Sequence, residues 1–280
     1  MKPLRSFDDG PAGRIAFVLC DLDDTLTLNG QLPAASYSAL EALTAAGKQV
    51  VVVTGRPAGW CDMIARFWPV AGVVGENGAF YFRYDRQASL MRRNFLYSDA
   101  ERARDRKRLM TFFRRLQKRY PGIRLASDQP FRVSDIAIDI CEDIAPLPPE
   151  TVKDIVARLD ALGATVKVSS IHINAWIGRF DKLSMLTTFL REEFGVSPAS
   201  AKRRAVYVGD SPNDEPMFAF FPHSIGVRNI EVFAAQMRAL PKFITRAPGG
   251  LGFLEVARLL KRNAVSSRGR SRRSSLPVRR

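Results

Sequence analysis

Phe17-Val18-Leu19-Cys20-Asp21-Leu22-Asp23-Asp24-Thr25-Leu26-Thr27 is the stretch on which the reading of this chain turns. Four apolar residues run straight into three aspartates and a threonine. A short continuous apolar run fits a strand buried on both faces. Carboxylates gathered at its end cannot be buried unpaired; they need water, a cation or a metal. An acidic turn after a strand satisfies that requirement. So does a metal-assisted phosphoryl-transfer site at the carboxyl edge of a parallel sheet, where open α/β folds place ligands. The rest of the chain must decide between the two.

Downstream, Ala34 to Ala46 has Tyr37, Leu40 and Leu43 at helical spacing, with Gly47 as a stop. Gln49 to Val53 is a β-branched strand ending at Thr54-Gly55-Arg56. Strand, helix and strand within about 40 residues make a βαβ unit and a parallel pair. Pro57 then suits the first turn of a helix reaching about Phe67. Ala71 to Val74 leads into Glu76-Asn77-Gly78, a tight turn, and Phe80-Tyr81-Phe82 begins a hairpin arm. From about Tyr84 the texture changes. Asp99 to Tyr120 is a basic amphipathic helix with Leu109, Phe113, Leu116 and Tyr120 as its stripe. Asp135 to Ile140 alternates like a half-solvated antiparallel strand, Pro149 to Leu162 is helical, and Thr165 to Val168 and Ile171 to Ile177 are strands. The βα alternation resumes at Gly178, with a helix from Lys182 to Phe194 and a buried strand from Arg204 to Val208 that ends at Gly209-Asp210. Leu251 to Arg262 is the last helix. The expected fold is α/β: a Rossmann-like parallel-sheet core (1–83 and 178–262) with an inserted α+β cap (84–177). Residues 263–280 are Ser/Arg-rich, nearly free of apolar residues and expected to be disordered.

Four fragments end or follow strands of the core: Asp21-Leu22-Asp23-Asp24-Thr25, Thr54-Gly55-Arg56, Lys182, and Gly209-Asp210-Ser211-Pro212-Asn213-Asp214. Parallel topology gathers such ends at one edge. Together they offer several carboxylates, a hydroxyl, an ammonium and a glycine-flanked loop. Phosphoryl transfer needs that set. Mg²⁺ wants oxygen ligands. The transferring group needs positive charge and donors on its oxygens. A carboxylate can attack phosphorus. A second one two residues on can protonate the leaving oxygen and later deprotonate water.

With these motifs in this order, over roughly 15–260, the chain resembles the haloacid dehalogenase superfamily. The resemblance is to subfamily IIB (Cof-like, sugar-phosphatase type), which carries a large α/β cap between the second and third motifs. Glu76-Asn77-Gly78-Ala79 and Gly249-Gly250-Leu251-Gly252-Phe253 match beyond the motifs. The resemblance implies a nucleophile and metal ligand at Asp21, and an acid/base at Asp23 with its carbonyl on the metal. It implies phosphoryl binding by Thr54 and by N–H groups near Asp23, Asp24 and Gly55, and charge neutralisation by Lys182. Asp210 would bind Mg²⁺, Asp214 would bind it or orient a bound water, and Asn213 would position the phosphate or Lys182. Thr25 would support the loop. Asp24 replaces the common glycine and is expected to be a surface carboxylate without a catalytic role. Members that cleave carbon–halogen bonds lack the second aspartate, so Asp23 favours phosphate chemistry. A phosphohexomutase would share nearly every motif and would need a second phosphate site, which the arginines of 83–132 could supply.

In the cap, His172, Asn174 and Trp176 share one face of a period-2 strand and could line the substrate cavity, or face solvent. Asn77 faces the same sheet edge and is expected at the cap–core boundary. Arg56 is expected to shape the cap interface. His172 and His223 are the only histidines, and no Ser/His/Asp triad or histidine-rich metal site is expected.

The chain of 280 residues is 46% hydrophobic and 25% charged, enough for a sizeable core. Its net charge of +15 is uneven: residues 83–132 hold fifteen Lys/Arg against five acids, and residues 261–280 hold eight and none. The remainder is close to neutral, so the pattern is not that of a uniformly basic nucleic-acid binder. The tail lacks the interleaved aromatics that stack on bases. Three scattered cysteines (Cys20, Cys61, Cys141), a polar start and no run near the roughly 20 apolar residues of a membrane span lead to the expectation of a soluble cytoplasmic protein. The expected activity is Mg²⁺-dependent hydrolysis of a small phosphomonoester, a sugar phosphate first, through an aspartyl phosphate. The alternatives are the mutase and, from another class, a nucleic-acid-binding protein on an inactive phosphatase scaffold. The sequence leaves the oligomeric state open.

Overall fold

The computed structural model describes residues 1–7, 9–169 and 171–273. In chain order the first half of the core contains β1 (Lys2–Pro3), α1 (Asp9–Arg14), β2 (Phe17–Cys20), α2 (Ala34–Ala45), β3 (Gln49–Val53), α3 (Ala58–Phe67), β4 (Gly72–Gly75), β5 (Phe80–Asp85) and β6 (Leu90–Phe95). The cap follows as α4 (Asp99–Arg119), β7 (Arg124–Leu125), β8 (Ile136–Asp139), α5 (Pro149–Ala161), β9 (Thr165–Val168) and β10 (His172–Trp176). The chain then returns to the core through α6 (Lys182–Phe194), α7 (Pro198–Arg204), β11 (Ala205–Gly209), α8 (Glu215–Phe220), β12 (Ser224–Gly226), β13 (Phe243–Ile244) and α9 (Gly249–Arg273).

The core sheet runs β1-β13-β12-β11-β2-β3-β4-β5-β6. It is parallel from β1 to β4, and β5 and β6 close it as an antiparallel hairpin. The all-apolar sequences of β2 and β3 fit this place, because both faces of a central parallel strand are covered. Val18, Cys20, Val50 and Val52 pack with residues of α2, α3 and α9. Phe17, Leu19, Val51 and Val53 pack with α6, α7 and α8 on the other side. Each fully buried Leu or Val contributes about 1.5–3 kcal/mol, so this three-layer stack fixes the strand ends that carry the acidic residues.

The cap sheet, β7-β8-β10-β9, is antiparallel. Ile136, Ile138, Ile173 and Ala175 face the cap helices and meet Leu109, Phe113, Leu116, Ile155 and Leu159. The opposite face of β10, His172, Asn174 and Trp176, is also buried. It is therefore not solvated, because it is turned towards the core.

Two boundaries differ from the sequence reading. β6 pairs along its whole length with β5, so the hairpin belongs to the core sheet and the cap elements begin at α4. The basic residues of 83–95 hid this, because an edge strand tolerates charge on its open side. The last helix continues past Arg262 to Arg273. Alanine and arginine are good helix formers and the next proline is Pro277. The part of the expected disordered tail at 274–280 lies outside the described residues. Among the described residues, no helix is long and apolar enough to cross a membrane.

Candidate active site

The site forms where β2, β3 and β11 end. Asp21 continues the ladder by donating its N–H to the Val208 carbonyl at 3.0 Å, which places its buried side chain beside the end of β11. Lys182, the first residue of α6, reaches it from the far side of the cap insertion. Its Nζ donates to Asp21 Oδ1 at 2.8 Å, to Asp214 Oδ1 at 3.1 Å and to Asn213 Oδ1 at 3.4 Å. The helix start is fixed by Asp181, which accepts from the Ser184 N–H while Ser184 Oγ receives the Asp181 N–H. Gly78 permits the approach: its φ is +108°, and a Cβ there would overlap the Asp181 carbonyl. A bulkier residue would push Lys182 off the site.

Asp21, Asp210 and Asp214 each offer a carboxylate oxygen within 4.8 Å of the others, and all three are buried. Their charge exceeds what one ammonium can balance. Burial first, with Asp214 adding, pushes the Asp21 carboxyl up to about 7 against the opposing pull of Lys182. Burial and then the charges of Asp21 and Asp214 push Asp210 well up. Burial works against the charged form of Lys182, but Asp21 and Asp214 outweigh it and raise its pKa. An additional cation would relieve the excess.

The three carboxylates are not equivalent. Asp214 Oδ1 accepts from Lys182 and from the Tyr207 hydroxyl at 2.5 Å, and Oδ2 accepts the N–H groups of Asp210 and Ser211. That fills about four lone-pair sites. Asp210 accepts from Thr25 Oγ1 at 3.0 Å and, more loosely, from Asn229 Nδ2 at 3.4 Å. Among the described residues, Asp21 Oδ2 accepts no hydrogen bond.

Asp23 lies beside this cluster with its side chain about a quarter exposed (27%). Arg56 Nε spans both its oxygens at 3.1 and 3.0 Å, and Nη2 adds a bond at 2.9 Å. The same guanidinium reaches the cap residues Glu142 at 2.7 Å and Asp128 at 3.4 Å. His172 Nε2 lies 2.8 Å from Glu142 Oε2, ion-pair distance but outside hydrogen-bond alignment. His172 and Arg56 hold the Glu142 carboxyl down at about 2. Asp24 is held by its backbone: φ is +54°, its N–H donates to Thr27 Oγ1 at 2.8 Å, and its carbonyl accepts from Asn229 at 3.0 Å. A left-handed residue is where glycine is commonest, and aspartate tolerates it.

Thr54 is buried, and its Oγ1 accepts the Arg56 N–H at 3.0 Å. Gly55 lies under Asn77, whose amide a Cβ would approach to 3.2 Å. Buried Arg132 props this loop from the cap side, donating to the Gly55 carbonyl at 2.9 Å while it pairs with Asp128 and Asp135. Glu76 accepts the N–H groups of Ala58, Val133, Ser134 and Asp135, which ties the same boundary together. Burial, then Asp135, pushes its carboxyl up to about 7.

A small cavity of about 20 Å³ brings together Asp21, Asp23, Gly55, Asn77, His172, Asn174, Asp210 and Asn213. Trp176 and Lys182 line a larger one of about 390 Å³, which also touches Asn77 and Asn213. Asn174 Nδ2 donates to Asp135 Oδ2 at 3.0 Å, so its amide nitrogen is committed within the cap. None of the arginines of 83–132 lines either cavity. They lie on the hairpin, the cap helix and, for Arg124, β7, or, for Arg132, under the loop, so they supply no second phosphate site there. Sequence reasoning missed the contacts of Arg132, Asp128, Glu142, Tyr207 and Asn229. Only Arg56 carried a local signal, directly after Thr54-Gly55.

A parallel sheet with buried carboxylates and a lysine at its carboxyl edge, roofed by an inserted cap, defines a capped α/β enzyme scaffold. Residues 18–110 match the model of a family described as haloacid dehalogenase-like hydrolase. A solved structure from Thermoplasma acidophilum aligns with a TM-score of 0.64 at 19% identity, covering 88% of this chain and 98% of that one. A HAD/COF-like hydrolase from Plasmodium vivax aligns at 0.64 and 17%, covering 93% and 99%. The sucrose-phosphatase of a Synechocystis species aligns at 0.58 and 16%, covering 88% and 98%. No curated protein matches the chain in sequence. Residues 18–110 are thus similar to haloacid dehalogenase-like hydrolases, and the chain shares the capped fold of these solved structures.

Proposed function

We propose that the chain is a Mg²⁺-dependent phosphatase that hydrolyses a small phosphomonoester, a sugar phosphate first, through an aspartyl phosphate on Asp21. One observation carries the reading: Lys182 Nζ holds Asp21 and Asp214 together beside Asp210 in a buried, over-acidic cluster. Asp21 keeps Oδ2 without a hydrogen bond, as a nucleophile or ligand requires. Its carboxylate attacks phosphorus as the bond to the leaving oxygen breaks, and Asp23 gives that oxygen a proton. Asp23 then takes a proton from the water that cleaves the acyl phosphate. Thr54, the N–H groups of the loops near Asp23, Asp24 and Gly55, and Lys182 bind the phosphoryl oxygens. The donor set fits a hard cation, because the available atoms are carboxylate oxygens with too little positive charge around them. Asp21, Asp210 and the Asp23 carbonyl would hold Mg²⁺, which would neutralise charge on the phosphoryl group. We assign Asp214 to holding Lys182, Tyr207 and the 210–214 loop rather than to direct ligation, because its lone pairs are already used. Asn213 positions Lys182.

The fold shared with a trehalose-6-phosphate phosphatase related protein (TM-score 0.61, 17% identity) and with the sucrose-phosphatase supports the sugar-phosphate reading. The cap supports a small substrate, since a closed roof excludes polymers and bulk water. The scattered cysteines, none in a disulfide, support a cytoplasmic place. The gathering of Asp21, Lys182, Asp210 and Asp214 supports an enzyme over a nucleic-acid binder on an inactive scaffold. A panel of phosphorylated metabolites assayed with Mg²⁺, including a hexose phosphate with its bisphosphate activator, tests the reading. Phosphate release that EDTA abolishes and Mg²⁺ restores is the expected result. Isomerisation without release would establish the mutase, and no turnover of any member would contradict both.

A further inference from the structure

The larger cavity contains two cations that the proposed chemistry does not use. It lies between the cap sheet and the starts of α6 and α8. Asn77 and Asn213 line both this cavity and the small one at Asp21, so a leaving group bonded to a phosphoryl on Asp21 would extend into it. Lys167 contributes from β9 and Arg179 from the segment after β10. In the antiparallel register Lys167 stands opposite Asn174 and Thr165 opposite Trp176, so all four share the face turned to the core.

Resting on the phosphatase reading, we propose that Lys167 and Arg179 form a second anion subsite. The preferred substrate is then a phosphomonoester whose leaving group carries a negative charge of its own, a carboxylate or a second phosphate. Three observations carry this. First, Arg56, Arg132 and Lys182 are each held by at least two carboxylates, whereas the side chains of Lys167 and Arg179 make no ion pair or hydrogen bond among the described residues. The one acid of the lining, Asp181, is engaged as the cap of α6. Second, two donors of the lining lack acceptors. The Trp176 indole N–H and the Asn77 amide nitrogen are buried with no partner. A neutral polyol offers a donor with every acceptor, whereas a carboxylate or phosphate offers acceptors alone and matches such a lining. Third, the walls between the cations and Lys182 are apolar. Trp176 stacks on Phe180 at 5.2 Å between ring centroids, and Met217 adds to them. They provide a surface for a short carbon skeleton. Lys167 is half-buried and Arg179 exposed, so the anion would be held between the wall and the rim.

The test uses matched pairs that differ in the charge of the leaving group. 3-Phosphoglycerate is compared with glycerol 3-phosphate, and fructose 1,6-bisphosphate with fructose 6-phosphate, all with Mg²⁺. For the wild type, kcat/KM favours the anionic member of at least one pair by about ten- to a hundred-fold, the worth of one or two charge-assisted bonds. The pair showing it separates a carboxylate from a phosphate. In the double variant Lys167→Met/Arg179→Met the ratio falls to near one, mainly through KM, while thermal melting shows the fold intact. Equal kcat/KM within both pairs, or a preference that survives the double variant, would overturn the inference. p-Nitrophenyl phosphate separates the two levels of failure. Its hydrolysis without any charge preference sinks this inference alone, and absence of all hydrolysis sinks the phosphatase reading with it.

Discussion

The three aspartates after β2 share one short turn and have three different environments. Asp21 is buried against Lys182, Asp23 is clasped by Arg56, and Asp24 turns through a left-handed conformation. Their order was legible, because Asp-x-Asp after an apolar strand is a chemical pattern. The reason for Asp24 was not, since a single sequence does not display φ. Two predictions belong to this scale. Asp23→Asn removes the proposed proton donor, so hydrolysis of an alkyl phosphate should fall by about 10²–10⁴-fold and that of p-nitrophenyl phosphate much less; equal losses on both would refute the acid role. Asp24→Gly keeps the backbone bonds to Thr27 and Asn229, so stability should stay within about 1 kcal/mol. Asp24→Val, β-branched at positive φ, should cost more than about 1 kcal/mol. Urea denaturation of the two variants checks this, and equal costs would contradict the backbone reading.

At the scale of elements, Arg56 joins the end of β3 to the turn after β2 and to the cap segments around Asp128 and Glu142. The Asp23 carboxylate and the roof are therefore coupled through one guanidinium. Glu142 makes this coupling sensitive to pH. Its folded carboxyl sits at about 2, below an ordinary value of 4.5, so its contribution is complete above the ordinary value. It is lost as pH falls towards the folded one. The melting temperature of the wild type should exceed that of Glu142→Gln at about pH 6, and the gap should close by about pH 2. A gap that stays constant would show that the contact carries no charge dependence. The βα framework was readable from apolar runs and glycine stops, and so was the inward face of β10, from its period of two. The Arg132–Asp128–Asp135 cluster was not, because those ion pairs depend on how the 128–135 turn folds back under Gly55.

At the scale of the whole molecule, the core gathers the acidic motif residues and the cap roofs them. The sequence carried the first because four motifs at strand ends converge by parallel topology alone. It carried less of the second. The basic residues of 83–132, which suggested an anion site, lie mostly on the hairpin and cap helix, whereas the cations in the larger cavity are Lys167 and Arg179 beside Lys182. The space over Asp21, about 20 Å³, holds about one water molecule. Arg56 bridges the turn after β2 to the cap beside this space. All of this rests on Asp21 as the attacking group. The most direct measurement is Mg²⁺-dependent hydrolysis of p-nitrophenyl phosphate by the wild type and by Asp21→Asn, with melting curves to show that both are folded. The account predicts a loss of at least about 10³-fold in kcat for the variant at an intact fold. Turnover by Asp21→Asn close to that of the wild type would contradict it.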